Sequence, residues 1–208
     1  MQILHLDSSI LHTDGASYTL GASIVAELVR VNSDATVVHR DLVADAIPHL
    51  DGAIAAGFRD IGVTAFDEVA RAEHVRSATL VQELLASDVI VIGAPMYNFS
   101  ISTQLKAWID RIVQPNRTFR YTDNGPVGLA GDKLVIIAST RGGFYSSGPA
   151  VAMDFQERYL EAVFGFIGIR RVHFLRAESL SRGAGVRAQA MDAAFAALPT
   201  VARLVTAA

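Results

Sequence analysis

The chain has 208 residues, 51% hydrophobic and 19% charged, with a mean hydropathy of +0.32. That length and apolar content exclude a disordered chain and fit one domain, residues 1–208, with a sizeable core. A net charge of −3 without any basic run argues against nucleic acid, and the absence of cysteine excludes disulfides, iron–sulfur clusters, thiolate zinc sites and a cysteine nucleophile.

The opening "MQILHLDSS" enters a strand at once, without a basic n-region, a long apolar h-region or an A-x-A cleavage site. No apolar run approaches the ~20 residues of a membrane span. A soluble cytoplasmic protein is expected, with no membrane partner.

"QILHLD" (Gln2–Asp7) reads as a first strand, followed by the polar loop "SSILHTDGAS". A helix starts at about Ser17 and sets Leu20, Ile24 and Leu28 on one face. Ala35–Asp41 is a second strand. Ala46–Gly62 is irregular or short-helical, and Phe66–Ala86 is mostly helical. "DVIVIGAP" is a third strand whose continuous apolar character means cover on both faces.

The next helix carries a stripe of Ile101, Leu105, Trp108, Ile109, Ile112 and Val113, with Ser100 or Ser102 as its cap. Asn124-Gly125 in "TFRYTDNGPVG" signals a small hairpin. "KLVIIAS" is a fourth strand. A helix over about 152–164 stopped by Gly165, a strand over about Val172–Ala177 and a last helix broken near Pro199 complete the chain. Strand–helix alternation predicts an α/β fold: an open five-stranded parallel sheet, order 2-1-3-4-5, with helices on both faces.

Such sheets bind ligands beyond the carboxyl ends of their strands, where the strand order reverses. Three loops would meet there. The first, Ser8–Ser17, has no G-x-G-x-x-G fingerprint but is rich in hydroxyls, which with free N–H groups at a helix start suits a terminal phosphate monoester. An ordinary capped turn would look the same. The second, Ala94–Ser100, puts Tyr97 and Phe99 on a loop with the amide of Asn98. The third, Thr140–Pro149, has Gly142-Gly143, whose backbone can approach a ligand closely and which no G-K-[ST] follows. Phosphate pocket, aromatic loop and backbone-donor loop together describe a flavin mononucleotide (FMN) site. The six histidines show no metal-ligand spacing; His5, His39 and His173 read as core or edge strand residues, and no metal is expected.

At "SSIL", "RDL", "IPHLDG", "DVIVIGAPMYNFSISTQLKAWIDRI", "TFRYTDNGP", "RGG" and "FGFIGI", in that order, the chain resembles the FMN-dependent NADH:azo compound oxidoreductases, flavodoxin-like enzymes also acting as quinone reductases. The resemblance implies one FMN per subunit held by Ser9, Gly15, Ala16, Ser17, Met96, Tyr97, Asn98, Phe99, Thr140, Arg141, Gly142 and Gly143. Gly15 stands where the family commonly has serine, Thr140 replaces a usual serine, and Tyr145 sits where some members have histidine. Tyr121 matches an aromatic near the substrate cavity, and Arg59 a position linked to nicotinamide recognition.

The resemblance further implies two-electron transfer from NADH, or NADPH, to quinones and azo compounds by a ping-pong route, with no catalytic side chain. It also implies a homodimer with residues of both subunits around each flavin. The rival is a flavodoxin-like FMN electron carrier without NADH oxidation of its own, which the modest net charge and the length disfavour. Walls for the open ring face are sought in Ala46–Gly62, Phe119–Pro126 and Phe164–Ile169.

Overall fold

The computed structural model describes residues 1–62 and 64–206. In chain order the elements are β1 (Gln2–Asp7), α1 (Ala16–Val31), β2 (Thr36–Asp41), α2 (Gly52–Ala55), α3 (Glu68–Ala86), β3 (Val89–Pro95), α4 (Thr103–Ile112), β4 (Phe119–Thr122), β5 (Gly125–Gly128), β6 (Leu134–Thr140), α5 (Gln156–Phe166), β7 (Arg171–Ala177), α6 (Ala184–Ala196) and α7 (Leu198–Thr206). β4 and β5 form a separate antiparallel hairpin. The other five strands make one parallel sheet in the order β2-β1-β3-β6-β7. With the hairpin set aside, this is the expected 2-1-3-4-5.

The central strands explain the sheet. All seven residues of β3 and all seven of β6 are buried, so neither has a solvent face. Alternate side chains serve two cores. Leu4, Leu6, Ile90, Ile92, Val135 and Ile137 pack against Leu80, Leu84, Leu105, Trp108, Leu160 and Phe164 of α3, α4 and α5. Ile3, Val89, Val91 and Ile136 pack against Leu20, Ile24 and Leu28 of α1 and against Ala194, Val201 and Ala202 of α6 and α7. α1 lies tight on the sheet because Gly93 has no side chain. A Cβ there would stand 2.8 Å from Asp7 Oδ1 and 3.1 Å from the Ser17 carbonyl.

Local chemistry sets the ends. Ser102, not Ser100, caps α4: its Oγ accepts from Leu105 N at 3.2 Å. α5 departs from expectation at both ends. It begins at Gln156, because Asp154 Oδ1 accepts from the N–H groups of Gln156 and Glu157 at 3.1 Å each, and Pro149–Met153 forms a separate 3₁₀ turn. Gly165 lies inside the helix. The turn comes at Gly168, φ +96°, where the backbone passes against Gly128 of the hairpin.

Phe164, Ile167 and Ile169 are fully buried in the core, whereas Phe166 between them is half-buried and lines a cavity with Pro126, Val127 and Gly128 of the hairpin. The final helix breaks between Ala196 and Leu198. Pro199 sits in the first turn of α7, where its missing N–H costs no helical bond. Among the described residues no helix is long and apolar enough to cross a membrane.

Candidate functional site

β1, β3 and β6 are neighbours, so the loops that leave their carboxyl ends converge. They enclose a cavity of about 280 Å³ whose wall includes Ser9, Gly15, Ala16, Ser17, Met96, Tyr97, Thr140, Arg141 and Gly142. A second cavity of about 230 Å³ is lined by Met96, Asn98, Phe99, Gly142, Gly143 and Tyr145. The two share Met96 and Gly142. Every residue expected around FMN lines one or the other.

One end is built for an anion. The Ser8 hydroxyl is committed, donating to the Gly93 carbonyl at 2.8 Å. Ser9 Oγ accepts from Leu11 N at 3.2 Å and keeps its proton for another partner. Ser17 is 1% exposed, and its Oγ has no partner among the described residues. α1 begins on Gly15, which offers no side-chain cap, so first-turn N–H groups remain open at the positive end of the helix dipole. A Cβ on Gly15 would stand 2.2 Å from Ser9 Oγ, so glycine here and this placement of Ser9 go together.

The middle is a strained turn. Met96 N–H donates to the Thr140 carbonyl at 2.8 Å, tying loop two to β6. Tyr97 and Ser100 exchange backbone hydrogen bonds of 2.9 and 3.1 Å. Between them Asn98 and Phe99 both have positive φ, 47° and 72°. Each costs ~1 kcal/mol or more and persists only when its surroundings hold it. Two anchors do: Ile10 N–H donates to the Tyr97 hydroxyl at 3.2 Å, and Phe155 N–H to the Phe99 carbonyl at 3.1 Å. Tyr97 is thereby half-buried, while Asn98 and Phe99 stay exposed beside Tyr145, whose ring meets Phe99 edge-on at 6.2 Å.

The far end is a backbone-donor loop. The carbonyls of Arg141, Gly142 and Gly143 accept from the N–H groups of Leu180 (3.0 Å), Ser181 (3.1 Å) and Ser179 (2.7 Å). The N–H groups of Gly142 and Gly143 have no acceptor among the described residues. A Cβ at Gly142 would lie 2.6 Å from Ser181 Oγ, so a larger residue there would make the Ser181 side chain turn away.

Comparison with known proteins decides the family. The model of a family described as having a flavodoxin-like fold matches residues 1–201. An FMN-dependent NADH:quinone oxidoreductase of Ralstonia nicotianae is 66% identical over 97% of this chain and 97% of its own. FMN-dependent NADH:quinone oxidoreductase 2 of Xanthomonas euvesicatoria is 57% identical over 99% of this chain and 95% of its own. The chain belongs to the flavodoxin-like FMN-dependent NADH:quinone oxidoreductase family. Among solved structures, an azoreductase from Bacillus anthracis superposes with a TM-score of 0.86 at 25% identity, covering 99% of this chain and 98% of that one.

Three of the expected residues have particular surroundings. Arg141 does not offer its charge to the cavity. Its N–H donates to the Ala177 carbonyl at 3.0 Å, and its buried guanidinium pairs with Asp154 (3.0 Å), Glu178 (3.3 Å) and Glu157. Burial pushes the Glu178 carboxyl up, but the Ser146 hydroxyl, the Tyr145 N–H and Arg141 outweigh it and hold the group below its usual range. Arg141 therefore fixes the glycine loop. Tyr121, 74% exposed on β4, and Arg59, exposed over the Phe58 ring, line neither cavity.

Three lining residues lie outside the three expected loops: Leu180 and Ser181, in the turn between β7 and α6, and Arg187 of α6. A further polar group lies outside both cavities. Asp7 Oδ2 stands 2.8 Å from His39 Nε2 and 3.5 Å from His5 Nε2. Burial raises Asp7 to about 6 against the pull of His39, and burial with the neighbouring His39 lowers His5 to about 4. His5 is thus a core histidine and His39 an edge one, as expected, with Asp7 an unforeseen third member. Their ligand atoms lie within 4.8 Å of one another.

Proposed function

We propose that this chain is an enzyme that holds FMN and moves two electrons from NADH to quinones, and that it reductively cleaves azo compounds in the same cavity. One observation carries the reading: a buried Ser17 hydroxyl at one end of the paired cavities and two glycine N–H groups at the other, none of them partnered among the described residues. A phosphate monoester and a polar ring edge, joined by a flat apolar ring system, satisfy both ends at once. When bound, FMN supplies the relay of two electrons between nicotinamide and acceptor.

The residues divide the work. Ser9, Ser17 and the open N–H groups of α1 hold the phosphate. Met96, Tyr97 and the left-handed turn at Asn98 and Phe99 support the ring. Gly142 and Gly143 place donors where negative charge develops at the ring edge, a preorganised arrangement that costs little reorganisation. No side-chain acid, base or nucleophile is required.

Donor and acceptor use one cavity in turn, which gives ping-pong kinetics. A second copy of the chain completes that cavity. Phe99, Phe144, Met153 and Phe155 are exposed apolar residues near the Asn98–Tyr145 end, and a partner surface carrying its own Tyr121 would cover them and exclude water.

The purified protein should be yellow and release FMN, not FAD, on denaturation. Double-reciprocal plots with NADH and a quinone varied should be parallel, and activity should track the dimer in sedimentation across a dilution series. A protein that takes up no FMN at micromolar levels overturns the cofactor reading. Intersecting lines overturn the shared cavity, and full specific activity in a monomer overturns the shared site.

A further inference from the structure

The cavity that takes the phosphate is short of charge. A phosphate monoester is close to a dianion at neutral pH. Two arginines line this cavity, and one of them, Arg141, is already matched by Asp154, Glu157 and Glu178. The helix start contributes only a partial charge, and the residue that caps it, Gly15, brings no side-chain donor. Hydroxyls from Ser9 and Ser17 donate hydrogen bonds but neutralise nothing.

The second arginine is Arg187, in the first turn of α6. It lines the same cavity as Ser9, Gly15 and Ser17, and it makes no ion pair or side-chain hydrogen bond with any described residue. Its position is not accidental to a floppy end. Residues 179–181 are bonded to the glycine loop, Gly183 turns the chain with φ +107°, and Arg187 N–H closes onto the Gly183 carbonyl at 3.0 Å. An arginine fork suits phosphate oxygens, which accept two parallel hydrogen bonds from it.

We propose that Arg187 is the countercharge for the FMN phosphate and sets the preference of this cavity for FMN over riboflavin. The proposal rests on the FMN reading above. Its place also explains how a site whose helix cap is glycine still holds a doubly charged group.

The test is flavin binding by fluorescence quenching, with no turnover involved. Wild type, Arg187→Ala and Arg187→Lys are titrated with FMN and with riboflavin at low and high salt. Arg187→Ala should weaken FMN by about tenfold at low salt and leave riboflavin unchanged. Arg187→Lys should recover part of the loss, since the charge remains and the fork does not. The difference between wild type and Arg187→Ala should shrink at high salt, as screening predicts. Inorganic phosphate should compete with FMN for wild type more strongly than for Arg187→Ala. Equal FMN affinities in wild type and Arg187→Ala overturn the role of Arg187 while the FMN reading stands, and so does an equal loss of FMN and riboflavin. A wild type that binds neither flavin overturns both.

Discussion

Removing the Ser17 hydroxyl should move stability and function in opposite directions. The side chain is 1% exposed, and its Oγ has no partner among the described residues. A buried donor left unsatisfied costs about 1–3 kcal/mol, and alanine is also the better helix residue by a few tenths at this first-turn position. Ser17→Ala should therefore stabilise the flavin-free protein by about 1 kcal/mol, which for a chain of this size raises Tm by about 2–4 °C. The same change deletes a charge-assisted hydrogen bond to phosphate, worth about 1.5–3 kcal/mol, so FMN should bind about tenfold or more weaker. Ligand stabilises the folded state in proportion to the logarithm of its concentration over Kd. The melting curves must then cross: the variant melts higher without FMN and gains less from added FMN. Differential scanning calorimetry on both forms at several FMN concentrations measures this. A flavin-free variant that melts below wild type while binding FMN equally well would falsify the assignment of Ser17.

Three further changes probe the site and its frame. Asn98→Ala should weaken FMN retention or shift its reduction potential. Asn98→Gly, which tolerates the left-handed turn, should do so through the lost amide alone, and unchanged affinity and potential in both variants would show that the loop does not touch the ring. Gly128→Ala should cost about 3 kcal/mol or more in urea denaturation, because the new Cβ would stand 2.1 Å from Gly168 N; an unchanged midpoint would mean the hairpin does not pack as described. The pH dependence of stability should change in Asp7→Asn. The raised Asp7 favours the fold at low pH and loses its contribution as pH rises from 3.8 through about 6. The lowered His5 favours the fold above 6.5 and loses its contribution as pH falls toward about 4. The two slopes oppose in wild type. With Asp7 gone, acidification from 6.5 to 4 should cost about 3 kcal/mol, and a flat profile in the variant would contradict the buried neutral His5.

Most of the frame was legible because the signals are local and repeated. Continuous apolar runs at Val89–Pro95 and Leu134–Thr140 mark buried parallel strands, and the alternation with helices leaves few topologies. The three loops were legible because glycines, hydroxyls and aromatics stand where strands end. What was missed depends on distant partners. The fate of Arg141 is decided by Asp154, Glu157 and Glu178, three carboxylates whose convergence no spacing reveals. Asp154 as the acceptor for the first N–H groups of α5 is invisible beside an apolar run that could equally extend a helix. The burial of Phe164 and Ile169 turns on a backbone contact between Gly128 and Gly168, forty residues apart in sequence. Leu180, Ser181 and Arg187 reach the cavity only because β7 pairs with β6 in one register.

That last arrangement makes the pocket a product of the whole chain. Its floor begins at Ser9 and its rim ends at Arg187, with the glycine loop stapled to residues 179–181 just after the edge strand β7. A nascent chain lacking β7 and the start of α6 has no finished pocket, however well its earlier strands have paired. Loosening of that edge alone opens the rim. Flavin fluorescence regained on release thus reports the integrity of the sheet from β1 to β7, and a yellow colour marks chains that have completed folding.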